Sequence, residues 1–126
     1  MLFVSGNSPF FDLTYKVYEF FTNKYEINSD VEVYHTNLSD DNAFGFTEIN
    51  DDEQFVQIHN ELNKKDFVIT LFHELVHVTQ NERGITDDDE RESQAYILEK
   101  VLYNNYCASW VIGTRWSEGG SSKVSL

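Results

Sequence analysis

An α+β domain is the fold class this sequence predicts, and three successive stretches of hydrophobic periodicity along its 126 residues predict it. Apolar positions recur at helical spacing over about 9–23, alternate every second residue between 31 and 59, and return to helical spacing from about 63 to 105. Those periods imply an N-terminal helix, a small antiparallel sheet of about three strands and two further helices, with the helices packed as one layer on the sheet. A chain of this length forms one domain. It is expected over 1–112, with 113–126 as a flexible tail, because Glu118-Gly119-Gly120-Ser121-Ser122 is rich in glycine and serine.

Ser8-Pro9 supplies a capping residue followed by proline at the first helical position, and Phe11, Leu13, Tyr15, Val17, Tyr18, Phe20 and Phe21 follow. The first helix is therefore expected over about 9–23. Three short strands come next: Val31, Val33 and His35 alternate with Glu32 and Tyr34, Phe44 and Phe46 flank Gly45, and Val56 and Ile58 alternate with Phe55 and Gln57. The polar run Asn50-Asp51-Asp52-Glu53 predicts a hairpin between the second and third. Asn63, with Asp66 three positions on, caps a long helix that runs to about Glu82 before Gly84 stops it. A second start signal at Asp87 or Asp88 opens the last helix, which continues to about Asn105.

Composition narrows the function classes. Nine Lys and Arg stand against 22 Asp and Glu, a formal charge of −13, which disfavours direct binding to a phosphate backbone or to acidic membrane surfaces. The excess negative charge reads first as a solvated surface, with preference for basic substrates or mimicry of a nucleic acid as the alternatives. Cys107 is the only cysteine, so neither a disulfide framework nor a Cys-rich zinc cluster is possible within the chain. Met1-Leu2-Phe3-Val4-Ser5-Gly6 has no basic n-region and no long apolar run, and no stretch is apolar enough to span a membrane. A cytoplasmic protein is expected.

Within the long helix, positions 67–78 are apolar nearly all round, and the four polar residues Thr70, His73, Glu74 and His77 fall at i, i+3, i+4 and i+7. They form one stripe about 100° wide on a helix that is otherwise enclosed. Burying two imidazoles and a carboxylate without partners would cost several kcal/mol, and a metal ion is a partner for all three. His73-Glu74-Leu75-Val76-His77 is also the HExxH motif: histidines one turn apart reach a zinc ion, and the intervening carboxylate acts as general base toward the zinc-bound water. The alternative is two histidines satisfied within a core.

A catalytic zinc usually takes three protein ligands and leaves a fourth position for water, so one more residue is needed. The metzincin pattern would place Gly at 80 and His at 83, where this chain has Gln80 and Arg83, which excludes that class. The following helix offers Glu90, Glu92 and Glu99, and Glu92, Ala95, Tyr96 and Glu99 share one face with a small residue where another helix can approach. His73-Glu74-Leu75-Val76-His77, the following Gln80, and Glu92-Ser93-Gln94-Ala95-Tyr96 together resemble the small gluzincin-type metallopeptidases, including HExxH proteins encoded by bacteriophages. The resemblance covers about residues 43–102 and implies a zincin-like arrangement. In that group the glutamate three positions before an alanine on the second helix is the third zinc ligand, which here is Glu92, with Glu90 as runner-up. An edge strand lines the cleft in similar proteins and binds extended substrate, and about 54–59 is the candidate.

The expected function is zinc-dependent hydrolysis of peptide bonds in a protein or peptide substrate, with Glu74 catalytic and His73, His77 and Glu92 holding Zn2+. Tyr96 or Tyr103 is a candidate donor to the developing oxyanion, and Glu99 a candidate to orient a ligand from behind. His35 and His59 read as structural or surface residues. Two other functions stay open: a zinc-stabilised protein-binding module without catalysis, and an acidic DNA mimic.

Overall fold

The computed structural model describes residues 1–115. Its elements are β1 (Leu2–Gly6), α1 (Phe11–Thr22), β2 (Asp30–Thr36), a 3-10 turn (Ser39–Asp41), β3 (Gly45–Asn50), β4 (Glu53–His59), α2 (Lys64–Arg83) and α3 (Asp88–Arg115). The α+β class is as expected, but the sheet is four-stranded and mixed, in the order β1-β2-β4-β3. β1 runs parallel to β2 and β2 parallel to β4, and only β3 and β4 are antiparallel. The antiparallel expectation holds for β3 and β4 but not for β2, which runs parallel to β4, and no strand is expected at β1 at all. Five residues that begin Leu-Phe-Val show no alternation, and a parallel neighbour separated from β2 by a whole helix leaves no turn signal.

The hairpin between β3 and β4 forms where the acidic run predicts it, with Asn50 opposite Glu53 and Asp51 in the left-handed region at φ 58°. β4 is thereby an interior strand, paired on both edges. The edge strands are β1 and β3, and β3 is the one that lines the cleft, so the expectation that 54–59 borders it is corrected to β3, Gly45–Asn50.

Two helix boundaries differ from expectation, while both ends of α2 agree with it. α1 begins at Phe11 rather than Pro9, because the Ser8 hydroxyl accepts from Phe10 N at 2.9 Å and closes a turn instead of capping a helix. α2 is capped as expected: Asn63 accepts from Asp66 N at 2.8 Å and its amide reaches back to the Asp66 carboxylate at 3.2 Å. At its far end Gly84 takes φ 73°, with Ile85 N bonded to Gln80 O and Gly84 N to Asn81 O, a Schellman stop. α3 continues past Asn105 to Arg115, so residues 113–115 of the expected tail are helical, and 116–126 lie outside the described residues.

α1 and α2 lie on one sheet face, and α3 packs against α2. Val31, Val33, Val56 and Ile58 project from the strands and meet Leu71, Leu75 and Phe72 of α2, all fully buried, each contributing about 1.5–3 kcal/mol. Polar bonds register α2 on the sheet: buried Gln54 donates to Val78 O and accepts from Asn81, both within 3.0 Å. The Glu82 carboxylate accepts from the backbone N–H groups of Asn28 and Ser29 and from the Ser29 hydroxyl, tying the end of α2 to the approach to β2. No helix among the described residues is long and apolar enough to cross a membrane.

His35 is structural, as expected, and lies on the buried face. Thr14 donates its hydroxyl proton to Phe10 O, so it accepts from His35 Nε2 at 3.0 Å, while Nδ1 has no partner and the Phe11 and Phe67 rings lie alongside. Burial pushes the His35 pKa down. The unfolded chain then binds a proton near pH 6.5 that the folded chain refuses, so stability is full above that pH and falls below it by up to about 1.4 kcal/mol per pH unit. Urea unfolding at pH 7.5 and 5.5 is expected to show a shallower pH dependence in His35→Leu than in the parent; equal slopes would contradict a neutral buried ring.

Candidate functional site

The link Gly84-Ile85-Thr86-Asp87 turns the chain back at once, so α3 packs antiparallel along the polar stripe of α2. That tight return places Glu92, only 15 residues after His77, level with both histidines. Glu92 Oε1 lies 3.0 Å from His73 Nε2 and 3.1 Å from His77 Nε2, and the two Nε2 atoms are 3.1 Å apart. Ala95, one turn on, is fully buried and lets the helices close. Glu90, the other candidate, is exposed and outside this cluster, since residues two apart on a helix point about 200° away from each other.

The partners behind the rings determine which atoms face the centre. The Glu99 carboxylate lies 2.7 Å from His73 Nδ1 and can only accept, so Nδ1 donates. For His77 the chain of constraint starts at a backbone carbonyl. Arg91 O accepts from Gln80 Nε2 at 3.0 Å, which turns the Gln80 amide oxygen toward His77 Nδ1 at 2.8 Å, and that nitrogen also donates. Gln94 takes the second Gln80 proton at 2.8 Å. With Nδ1 of each ring donating behind it, the two Nε2 atoms and the Glu92 carboxylate converge on one point. Among the described residues no further hydrogen-bond donor is placed between them. A divalent cation suits that donor set, because three donors around a tetrahedral zinc lie about 3.3 Å apart, close to the spacing present.

Glu74 points to the other side of the stripe and does not join the triangle. It is 6% exposed, and its Oε1 accepts from the Thr47 hydroxyl of β3 at 2.6 Å. Burial pushes its carboxyl pKa up, opposed by the Thr47 bond and the two imidazoles. A raised carboxyl beside a group of side chains that could hold a cation is suited to proton transfer.

These groups open into a cleft of about 860 Å³, lined by Asn42–Thr47 on one wall and by α2 and α3 on the other, within the usual size of a substrate site. Its lining carries Asp66, Glu74, Asp88, Glu92 and Glu99 against Arg91 alone, which favours a cation. Tyr96 also lines it, more than half exposed, with its ring edge-on to His73 at 5.1 Å. Tyr103 is not among the lining residues; the Lys65 ammonium sits over its ring at 5.9 Å. His59 is structural, accepting from Leu38 N at Nδ1, 2.9 Å away.

Two residues of this site escaped the sequence reading as functional groups. Gln80 stands three positions after His77, a helical spacing that could have marked it as a partner of the ring. Thr47 carries no such signal, since it meets Glu74 only through strand placement. Comparison with protein-family models, curated proteins and solved structures finds no match.

Glycine at residue 45 leaves room for the close approach of β3 to α2. A Cβ there would meet Gln57 O at 3.0 Å, Thr70 Cγ2 at 3.1 Å and Glu74 Cγ at 3.2 Å. Gly45→Val should push strand and helix apart and destabilise the fold by about 1–3 kcal/mol in thermal or urea unfolding; an unchanged midpoint would mean that this contact gives way freely.

Proposed function

We propose that the chain is a zinc-dependent peptidase of the gluzincin type, in a zincin-like arrangement, that hydrolyses peptide bonds in protein or peptide substrates. The observation that carries this is the convergence of His73 Nε2, His77 Nε2 and Glu92 Oε1 within 3.1 Å, with both ring tautomers set from behind and a buried carboxylate beside them. His73, His77 and Glu92 hold Zn2+, and Glu99 and Gln80 orient the two rings. When bound, zinc supplies Lewis-acid charge that acidifies a water and polarises a carbonyl.

The residues of the chain do the rest. An extended substrate pairs with the free edge of β3, which brings a peptide bond across the mouth of the cleft. Glu74 takes one proton from the attacking water as its oxygen adds to the carbonyl carbon. It returns that proton to the amide nitrogen as the C–N bond breaks, leaving one carboxylic acid and one amine. Tyr96, beside His73 at the cleft, is positioned to donate to the oxygen on which charge develops.

Two experiments test the assignment. Glu92→Ala should weaken zinc binding about a hundred-fold or more in competition with a chromophoric chelator, whereas Glu90→Ala should stay within about two-fold of the parent. Equal losses would reassign the third ligand. Glu74→Gln keeps shape but removes the base, so it should retain zinc and lose about 10² to 10⁴ in peptide hydrolysis. Loss of zinc by that variant would make Glu74 a ligand. Zinc retained by a parent that cleaves no peptide of a broad library would favour a binding module instead.

A further inference from the structure

Thr47 stands between the free strand edge and Glu74. In the β3–β4 ladder His59 N bonds to Phe44 O, so hydrogen-bonded pairs fall at Phe44 and Phe46 and the non-bonded pairs at Gly45 and Thr47. The backbone N–H and C=O of Gly45 and Thr47 therefore point away from β4, toward the open edge. The Thr47 side chain points to α2, where its hydroxyl lies 2.6 Å from Glu74 Oε1 and 3.4 Å from Glu74 O. A hydroxyl has one proton, and the shorter contact takes it.

We propose that Thr47 is a positioning residue that holds Glu74 Oε1, so that Oε2 is the oxygen that carries the proton during hydrolysis. This rests on the peptidase assignment above and deepens it. The bond from Thr47 is compatible with both states of the carboxyl group, because Oε1 accepts whether Oε2 is bare or protonated. The carboxyl plane therefore keeps its aim between taking the proton from water and giving it to the leaving amine. Without the hydroxyl, a carboxylate only 6% exposed is free to turn about its last torsion, and its productive orientation is populated for part of the time. Because Thr47 also offers its own N–H and C=O at the strand edge, a substrate pairing there docks on the residue that aims the base.

Thr47→Val preserves shape and strand propensity and removes the hydroxyl, and Thr47→Ser restores it. The zinc-loaded full chain and both variants are assayed on a fluorogenic peptide built from a cleavage site that the parent shows in casein, with zinc affinity measured by chelator competition. Thr47→Val should lower kcat about 10- to 100-fold while KM and zinc affinity stay within about two-fold, and Thr47→Ser should recover to within about three-fold of the parent. Parental turnover by Thr47→Val overturns the proposal. So does a fall in its zinc affinity or a rise in its KM, which would assign the hydroxyl to the metal site or to substrate binding. Failure of Thr47→Ser to recover would place the effect in the lost methyl group instead. A zinc-bound parent that leaves casein intact overturns the peptidase assignment itself, and this proposal with it.

Discussion

Everything near the cleft depends on how one polar seam is buried between α2 and α3. α2 is apolar around most of its circumference, and its imidazoles and carboxylate cannot be withdrawn from water without partners. α3 supplies partners along one face, Arg91 O and Gln94 for Gln80 and Glu99 for His73 Nδ1, and sets the Glu92 carboxylate as a third acceptor beside both Nε2 atoms. The seam is therefore a packing solution as well as a site. Each bond behind the rings also determines which nitrogen faces the centre, so the structural demand and the chemical one are met by the same contacts.

The sheet contributes through its topology. β4 occupies the interior and β3 the rim, so the antiparallel hairpin delivers a strand with one open edge to the side of α2 that bears Glu74. Gly45 lets that strand lie against the helix, and Thr47 bonds to it two residues later. A side chain at 45 large enough to hold the strand away would separate Thr47 from the carboxylate. Among the described residues no helix covers the opposite sheet face, which leaves Phe3 and Tyr34 partly in solvent.

Charge is distributed unevenly over this frame. None of the four strands contains a lysine or arginine, and the cleft has five carboxylates against one guanidinium. Arg91 donates to Ile85 O at 2.7 Å, which uses part of its hydrogen-bonding capacity on the turn before α3. The net charge of −13 thus appears at the cleft as a field that favours cations, in keeping with the acceptor triangle at its floor.

Sequence alone determined the α+β class, both ends of α2, the β3–β4 hairpin and the four-residue polar stripe, because each rests on local period or local capping within one element. It also brought Glu92 forward, through the small Ala95 one turn away and the family resemblance. The parallel pairing of β1 with β2 and of β2 with β4, and the interior position of β4, were decided by tertiary packing. Partners in a parallel sheet are distant in sequence, so no local turn or period marks them. The same holds for the finer parts of the site. Glu92 rather than Glu90 lies beside the two histidines because of how α3 is rotated against α2. Thr47 meets Glu74 across 27 residues of chain that no periodicity connects. A hydrogen bond between elements depends on their placement in space, and that placement follows from burying the whole core at once.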